Sequence, residues 1–72
     1  MASFGERLKS LRLNKGLTQS QIAKLFLTTE RGYRNYEINQ SKPNYDTLIA
    51  LANYFNVSLD YLTGLSDNPE RR

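Results

Sequence analysis

The chain contains no cysteine and no histidine. The first absence excludes disulfides and thiolate metal sites. The second removes the usual general base and the commonest zinc ligand. No apolar run approaches the roughly 20 residues that cross a bilayer, and no signal-peptide pattern opens the chain. A location in the cytoplasm is therefore expected. There is no phosphate-cradling glycine loop and no carboxylate pair at a plausible spacing, so an enzyme is not expected, nor is a cofactor. At 72 residues the chain makes one small domain. Such a domain buries only roughly 60% of its unfolded surface, so its core must be well patterned, and it leaves no obvious room for a small-molecule ligand.

The charges that are present fall unevenly. Through Asn44, eight basic residues (Arg7, Lys9, Arg12, Lys15, Lys24, Arg31, Arg34, Lys42) face three acidic ones (Glu6, Glu30, Glu37), a net of +5. From Tyr45 onward Arg71 and Arg72 face Asp46, Asp60, Asp67 and Glu70, a net of −2. A basic half beside a weakly acidic half suits a module that offers one side to phosphate, although a solvated surface alone would show the same counts.

Apolar spacing predicts five helices. Phe4, Leu8 and Leu11 form a first stripe, Ser3 and Glu6 fit a capping box, and Gly16 is placed to end the helix. Thr18 caps a second helix with Gln21 as its partner; Ile22 and Phe26 line its inner side, and it should end near Phe26. Leu27, Thr28 and Thr29 follow as a turn, with Thr29 capping a third helix and Glu30 suiting its positive end. Tyr33 and Tyr36 point inward there, while Glu30, Arg31, Arg34 and Asn35 point outward or along the flanks. Gly32 leaves a side-chain-free position that another backbone, protein or nucleic acid, could approach. Asn39 tolerates a left-handed conformation and Pro43 forbids helix continuation. Asn44 caps a fourth helix with Leu48, Leu51, Ala52 and Phe55 inward, which Asn56 ends; Ser58 caps a short fifth, which Gly64 ends. The domain is expected over residues 1–65, with residues 66–72 a polar, frayed tail.

With Gln19 as the first helical residue, small Ala23 falls fifth, and Tyr33 and Tyr36 fall fifteenth and eighteenth. These are the packing positions of a helix-turn-helix, which presents its second helix to the major groove. The stretches FGERLKSLR, KGLTQSQIA, TTERGYRNYE, SKPNYDTLIALA and FNVSLDYLTG, in this order and at these intervals, make the chain resemble the phage repressors and Xre-type bacterial regulators. The resemblance runs from about Phe4 to Gly64. It implies an all-α, five-helix, lambda-repressor-like domain of bacterial or prophage origin, associated with the nucleoid. It implies a phosphate contact at Gln19, base-reading positions at Glu30, Arg31 and Asn35, a phosphate contact at Lys42, and an Arg12–Glu37 pair tying the first helix to the third. Two positions depart from the family pattern. Leu27 stands at the usual turn glycine, and Asn39 at the loop glycine after the third helix. A left-handed leucine is strained, so the turn is expected to be remodelled or to extend the second helix.

The side chains themselves suggest roles. Arg31 and Arg34 carry forked donors that match the O6 and N7 acceptors of guanine, and Asn35 suits adenine or a phosphate. Glu30 either accepts from a cytosine amine or only stabilises the helix end. Thr29 is a cap whose hydroxyl also reaches toward phosphate. Tyr33, Tyr36 and Tyr54 read as core rather than as a stacking platform for single strands. Tyr45 either reaches phosphate near Lys42 or packs at the start of the fourth helix. The expected function is a sequence-specific regulator, a repressor bound to double-stranded DNA as a homodimer. Leu59, Tyr61, Leu62 and Leu65 are candidates for the dimer contact or for the core. An antitoxin-like protein-interaction module with secondary DNA binding is the competing reading.

Overall fold

The computed structural model describes residues 3–70. Among these the chain forms α1 (Phe4–Asn14), α2 (Gln19–Leu25), α3 (Glu30–Glu37), α4 (Tyr45–Phe55) and α5 (Leu59–Thr63), with no strand. The sequence expectation of an all-α domain of five helices is met.

Each helix starts on a residue whose oxygen takes an orphan amide: Ser3, Thr18, Thr29, Asn44 and Ser58. For α1 and α2 the bond is reciprocal. Glu6 N–H donates to Ser3 Oγ and Ser3 N–H to Glu6 Oε1, both at 3.2 Å. Thr18 and Gln21 repeat the arrangement at 2.9 and 3.1 Å.

The helices also end alike. Gly16, Leu27, Asn39, Asn56 and Gly64 all take positive φ, between 55° and 85°. The residue after each returns its N–H to a carbonyl five residues back: Leu17 to Arg12, Thr28 to Ala23, Gln40 to Asn35, Val57 to Ala52, Leu65 to Asp60. This double turn satisfies the last carbonyls and sends the chain off sharply. Thus Leu27 neither remodels the turn nor extends α2; it adopts the left-handed conformation itself, at φ 55°. Ile22 and Ala23 are anchored in the core on one side and Thr29 caps α3 on the other, and with residue 27 bent this way Thr28 N–H returns to the Ala23 carbonyl. Its side chain is left 96% exposed.

Leu8, Ile22, Ala23, Tyr33, Leu51, Ala52, Phe55, Val57 and Leu62 form the buried core, flanked by Phe4, Leu11, Leu17, Phe26, Tyr36, Leu48, Tyr54 and Tyr61. Phe26 meets Tyr54 edge-on at 5.6 Å, and Tyr33 meets Tyr36 in the same way at 6.2 Å. The tyrosines at 33, 36 and 54 are therefore packing residues, as their spacing indicated. Where α1 crosses α3 the backbones touch: a Cβ on Gly5 would lie 2.2 Å from the Glu37 carbonyl oxygen.

The described part of the expected tail makes contacts with the domain. Ser58 N–H donates to the Pro69 carbonyl at 3.1 Å, and Asp67 Oδ1 accepts from Arg7 Nη2 at 3.0 Å. The Arg7 guanidinium lies 3.9 Å from the centre of the Tyr61 ring, so residues 66–70 fold back over the junction of α1 and α5. Arg71 and Arg72, the other part of the expected tail, lie outside the described residues.

Urea unfolding tests both the left-handed turn and the helix crossing. Leu27→Gly removes the left-handed penalty and no packing, so the variant should gain about 1 kcal/mol. Gly5→Ala forces α1 from α3 and should cost about 1–3 kcal/mol in the same assay.

Candidate nucleic-acid interface

The outer face of α3 is built by what its inner face must do. Tyr33 and Glu37, one turn apart, are buried and clamp the helix to the domain. That leaves Glu30, Arg31 and Arg34 exposed, with Asn35 half-buried on the flank. Arg31 precedes Arg34 and Asn35 by three and four residues, so all three lie on neighbouring parts of one outward surface. Thr29 opens it as cap, its Oγ1 accepting from Gly32 N–H at 3.0 Å. Gly32 is not an opening for an outside backbone. A Cβ there would come within 2.8 Å of Thr28 Oγ1 and 3.1 Å of Thr29 Oγ1, so the turn's own hydroxyls occupy the space.

Beneath this surface lies a buried ion pair. Arg12 Nε donates to Glu37 Oε2 at 2.6 Å and Nη2 to Oε1 at 3.2 Å, joining α1 to α3. Arg12 Nη1 also donates to the Leu17 carbonyl at 2.8 Å, and Gln19 Nε2 donates to Glu37 Oε1 at 3.1 Å. The start of α2 is therefore tied to the same carboxylate, and Gln19 is half-buried rather than fully exposed. Burial pushes the Glu37 carboxyl upward, but the bonds from Arg12, the nearby Tyr33 hydroxyl group and the bond from Gln19 together outweigh it and lower its pKa. The Tyr33 hydroxyl is pushed above its ordinary value, first by burial and then by this carboxylate. Among the described residues it meets no partner at hydrogen-bond geometry.

Lys42 is exposed in the loop after α3, and Tyr45 is 72% exposed, so Tyr45 does not pack at the start of α4. Of the apolar residues considered for a dimer contact, Leu62 is fully buried and belongs to the core. Tyr61 is partly buried beneath Arg7. Leu59 and Leu65 are exposed. The basic half is also less basic outside than by count, because Arg7 and Arg12 are both buried.

Three roles were missed by sequence reasoning. Gly5 was given no role, and Arg7 was only counted among the basic residues. Asn39 was read for its backbone alone, whereas its Oδ1 accepts from Gly5 N–H at 3.0 Å and its Nδ2 donates to Ser3 Oγ at 3.1 Å. No local signal marks a contact between residues as distant in sequence as Gly5 and Glu37, or Gly5 and Asn39.

The acid limb of stability tests the ion pair. With its folded-state pKa depressed, Glu37 stabilises the fold fully above its unfolded value of about 4.5 and loses that contribution as pH falls through the folded value. Glu37→Gln should cost about 3 kcal/mol near neutrality. The gap between variant and wild type should narrow as unfolding is measured at successively lower pH below about 5.

Comparison with known proteins agrees with the geometry. Residues 5–67 match the model of a helix-turn-helix domain family. The chain is 44% identical over 59 residues to the SPbeta prophage-derived uncharacterized HTH-type transcriptional regulator YonR of Bacillus subtilis, covering 82% of this chain and 55% of that one. It is 42% identical over 62 residues to the HTH-type transcriptional regulator ImmR of the same organism, covering 86% and 49%. The chain spans about half the length of these curated relatives. A crystal structure of a transcriptional regulator from Listeria innocua superposes with a TM-score of 0.82 at 39% identity, covering 86% of this chain and 58% of that one. Among the described residues no helix is long and apolar enough to cross a membrane. A capped α2–turn–α3 unit with a charged outer face, matched over most of the chain at this identity, means that the protein belongs to the Xre-like helix-turn-helix family of transcriptional regulators.

Proposed function

We propose that the chain is a sequence-specific double-stranded DNA-binding regulator that lays α3 in the major groove. The observation that carries this reading is the two-sidedness of α3. Its inner side is locked to α1 and α2 through Glu37, while Arg31 and Arg34 stand in solvent on the outer side. Arg31 and Arg34 read guanine edges, Asn35 adenine or a phosphate, and Glu30 excludes phosphate from a wrong register. Gln19, Thr29 and Lys42 position the domain on the backbone without reading sequence.

A single helix covers too few base pairs to specify a site. Two domains related by a two-fold axis, with reading helices about 34 Å apart, cover successive turns of one face. Leu59 and Leu65, both exposed, are the residues proposed for that contact. Occupancy of such an operator represses by blocking access, and the nucleoid is where the protein would act.

Selection from random duplexes, repeated at two salt concentrations, tests the reading. A two-fold symmetric motif is expected, with affinity falling as salt rises. Binding to a partner protein with no selected motif would favour the antitoxin-like alternative. Arg31→Ala should cost about 1–3 kcal/mol at one base position and relax preference there. Uniform weakening on every sequence would mean that Arg31 touches only phosphate.

A further inference from the structure

We propose that Asn39 is a positioning residue for DNA binding: its side chain clasps the start of α1 and so fixes the α3–α4 loop that carries Lys42. The inference rests on the DNA-binding reading above and concerns a position where the family pattern has glycine. Glycine at residue 39 would supply the left-handed backbone, which Asn39 adopts at φ 62°. It would supply neither of the two side-chain bonds.

Those bonds are placed to join elements. Gly5 is the second residue of α1, and its N–H is one of the orphan donors of a helix start. Ser3 Oγ, the cap just before α1, accepts from Glu6 N–H, and Asn39 reaches across from the end of α3 to take Gly5 N–H while donating to that same Ser3 oxygen. The clasp continues the seam where α1 and α3 touch through Gly5 and the Glu37 carbonyl. Downstream, the N–H groups of Gln40 and Ser41 both donate to the Asn35 carbonyl, at 2.9 and 3.3 Å. Lys42 and Pro43 then border a groove of about 210 Å³ that is also lined by Phe4, Leu48 and Thr63. The loop is therefore tied to the first residues of α1 at its start, by Asn39, three residues before Lys42. A lysine carried on a fixed loop gives up less freedom when it meets a phosphate.

The test is a double-mutant cycle with Asn39→Gly and Lys42→Ala on the selected operator duplex, under conditions where thermal melts show every variant folded. Asn39→Gly keeps the left-handed backbone, so the fold survives, and amide exchange at Gly5 reports loss of the clasp. With Lys42 in place, Asn39→Gly should lower affinity about two- to tenfold; added to Lys42→Ala, it should change nothing. Equal loss in both backgrounds, or no loss in either, would overturn the inference while leaving DNA binding intact. Wild-type protein with no salt-dependent affinity for any duplex would overturn the DNA-binding reading first, before a variant is made.

Discussion

A carboxylate removed from water must have its oxygens bonded by the fold, and Glu37 receives those bonds from two other helices. Arg12 from α1 grips both oxygens, and Gln19 from the start of α2 bonds one of them. Removing one member of such a buried set leaves a charge with nowhere to go, which makes the set a strong constraint on geometry even though its net contribution to stability is modest. Here the constraint fixes where α3 lies relative to both of its neighbours. Arg12 adds a bond to the Leu17 carbonyl, so the connection between α1 and α2 is held by the same guanidinium. The outer face of α3 inherits its direction from this arrangement.

The short helices depend on their ends. Seven- and eight-residue helices such as α2 and α3 are far below the length at which isolated helices persist in water, so capping and tertiary packing must hold them. Every start has a side-chain cap and every end has the same left-handed exit. Leu27 shows how strong that requirement is. The anchoring of Ile22 and Ala23 in the core, and of Thr29 at the start of α3, overrides the intrinsic preference of one leucine. The strain sits in an exposed turn, where the side chain can point to solvent without clashing.

The electrostatic surface is likewise a product of packing. Arg7 stacks over Tyr61 and pairs with Asp67, and Arg12 is enclosed with Glu37. Lys15 lies 4.8 Å from the centre of the Tyr54 ring. Arg31, Arg34 and Lys42 stay exposed on α3 and its following loop, as do Lys9 on α1 and Lys24 on α2. Folding thus withdraws Arg7 and Arg12 from the surface and leaves fewer outward cations than the sequence count suggests.

Much of this was legible from residue order. Capping oxygens, exit residues and apolar spacing act over three to five positions, so Ser3, Thr18, Thr29, Asn44 and Ser58, the exits at Gly16 and Gly64, and the core at Leu8, Ile22, Ala23, Tyr33 and Leu51 followed from sequence alone. The spacing of Ala23, Tyr33 and Tyr36 after Gln19 marked the helix-turn-helix, and the resemblance of the whole ordered set supplied the Arg12–Glu37 pair. Tertiary structure decided the rest: that Leu27 bends left-handed, that Leu62 is core and not contact surface, that Arg7 turns inward, that the segment after Gly64 folds back, and that Asn39 works through its side chain. Each of these joins groups distant in the chain or sets a local preference against distant anchoring. Such choices are settled by which unsatisfied donors, acceptors and apolar surfaces arrive at the same place, and that information exists only once the chain has folded.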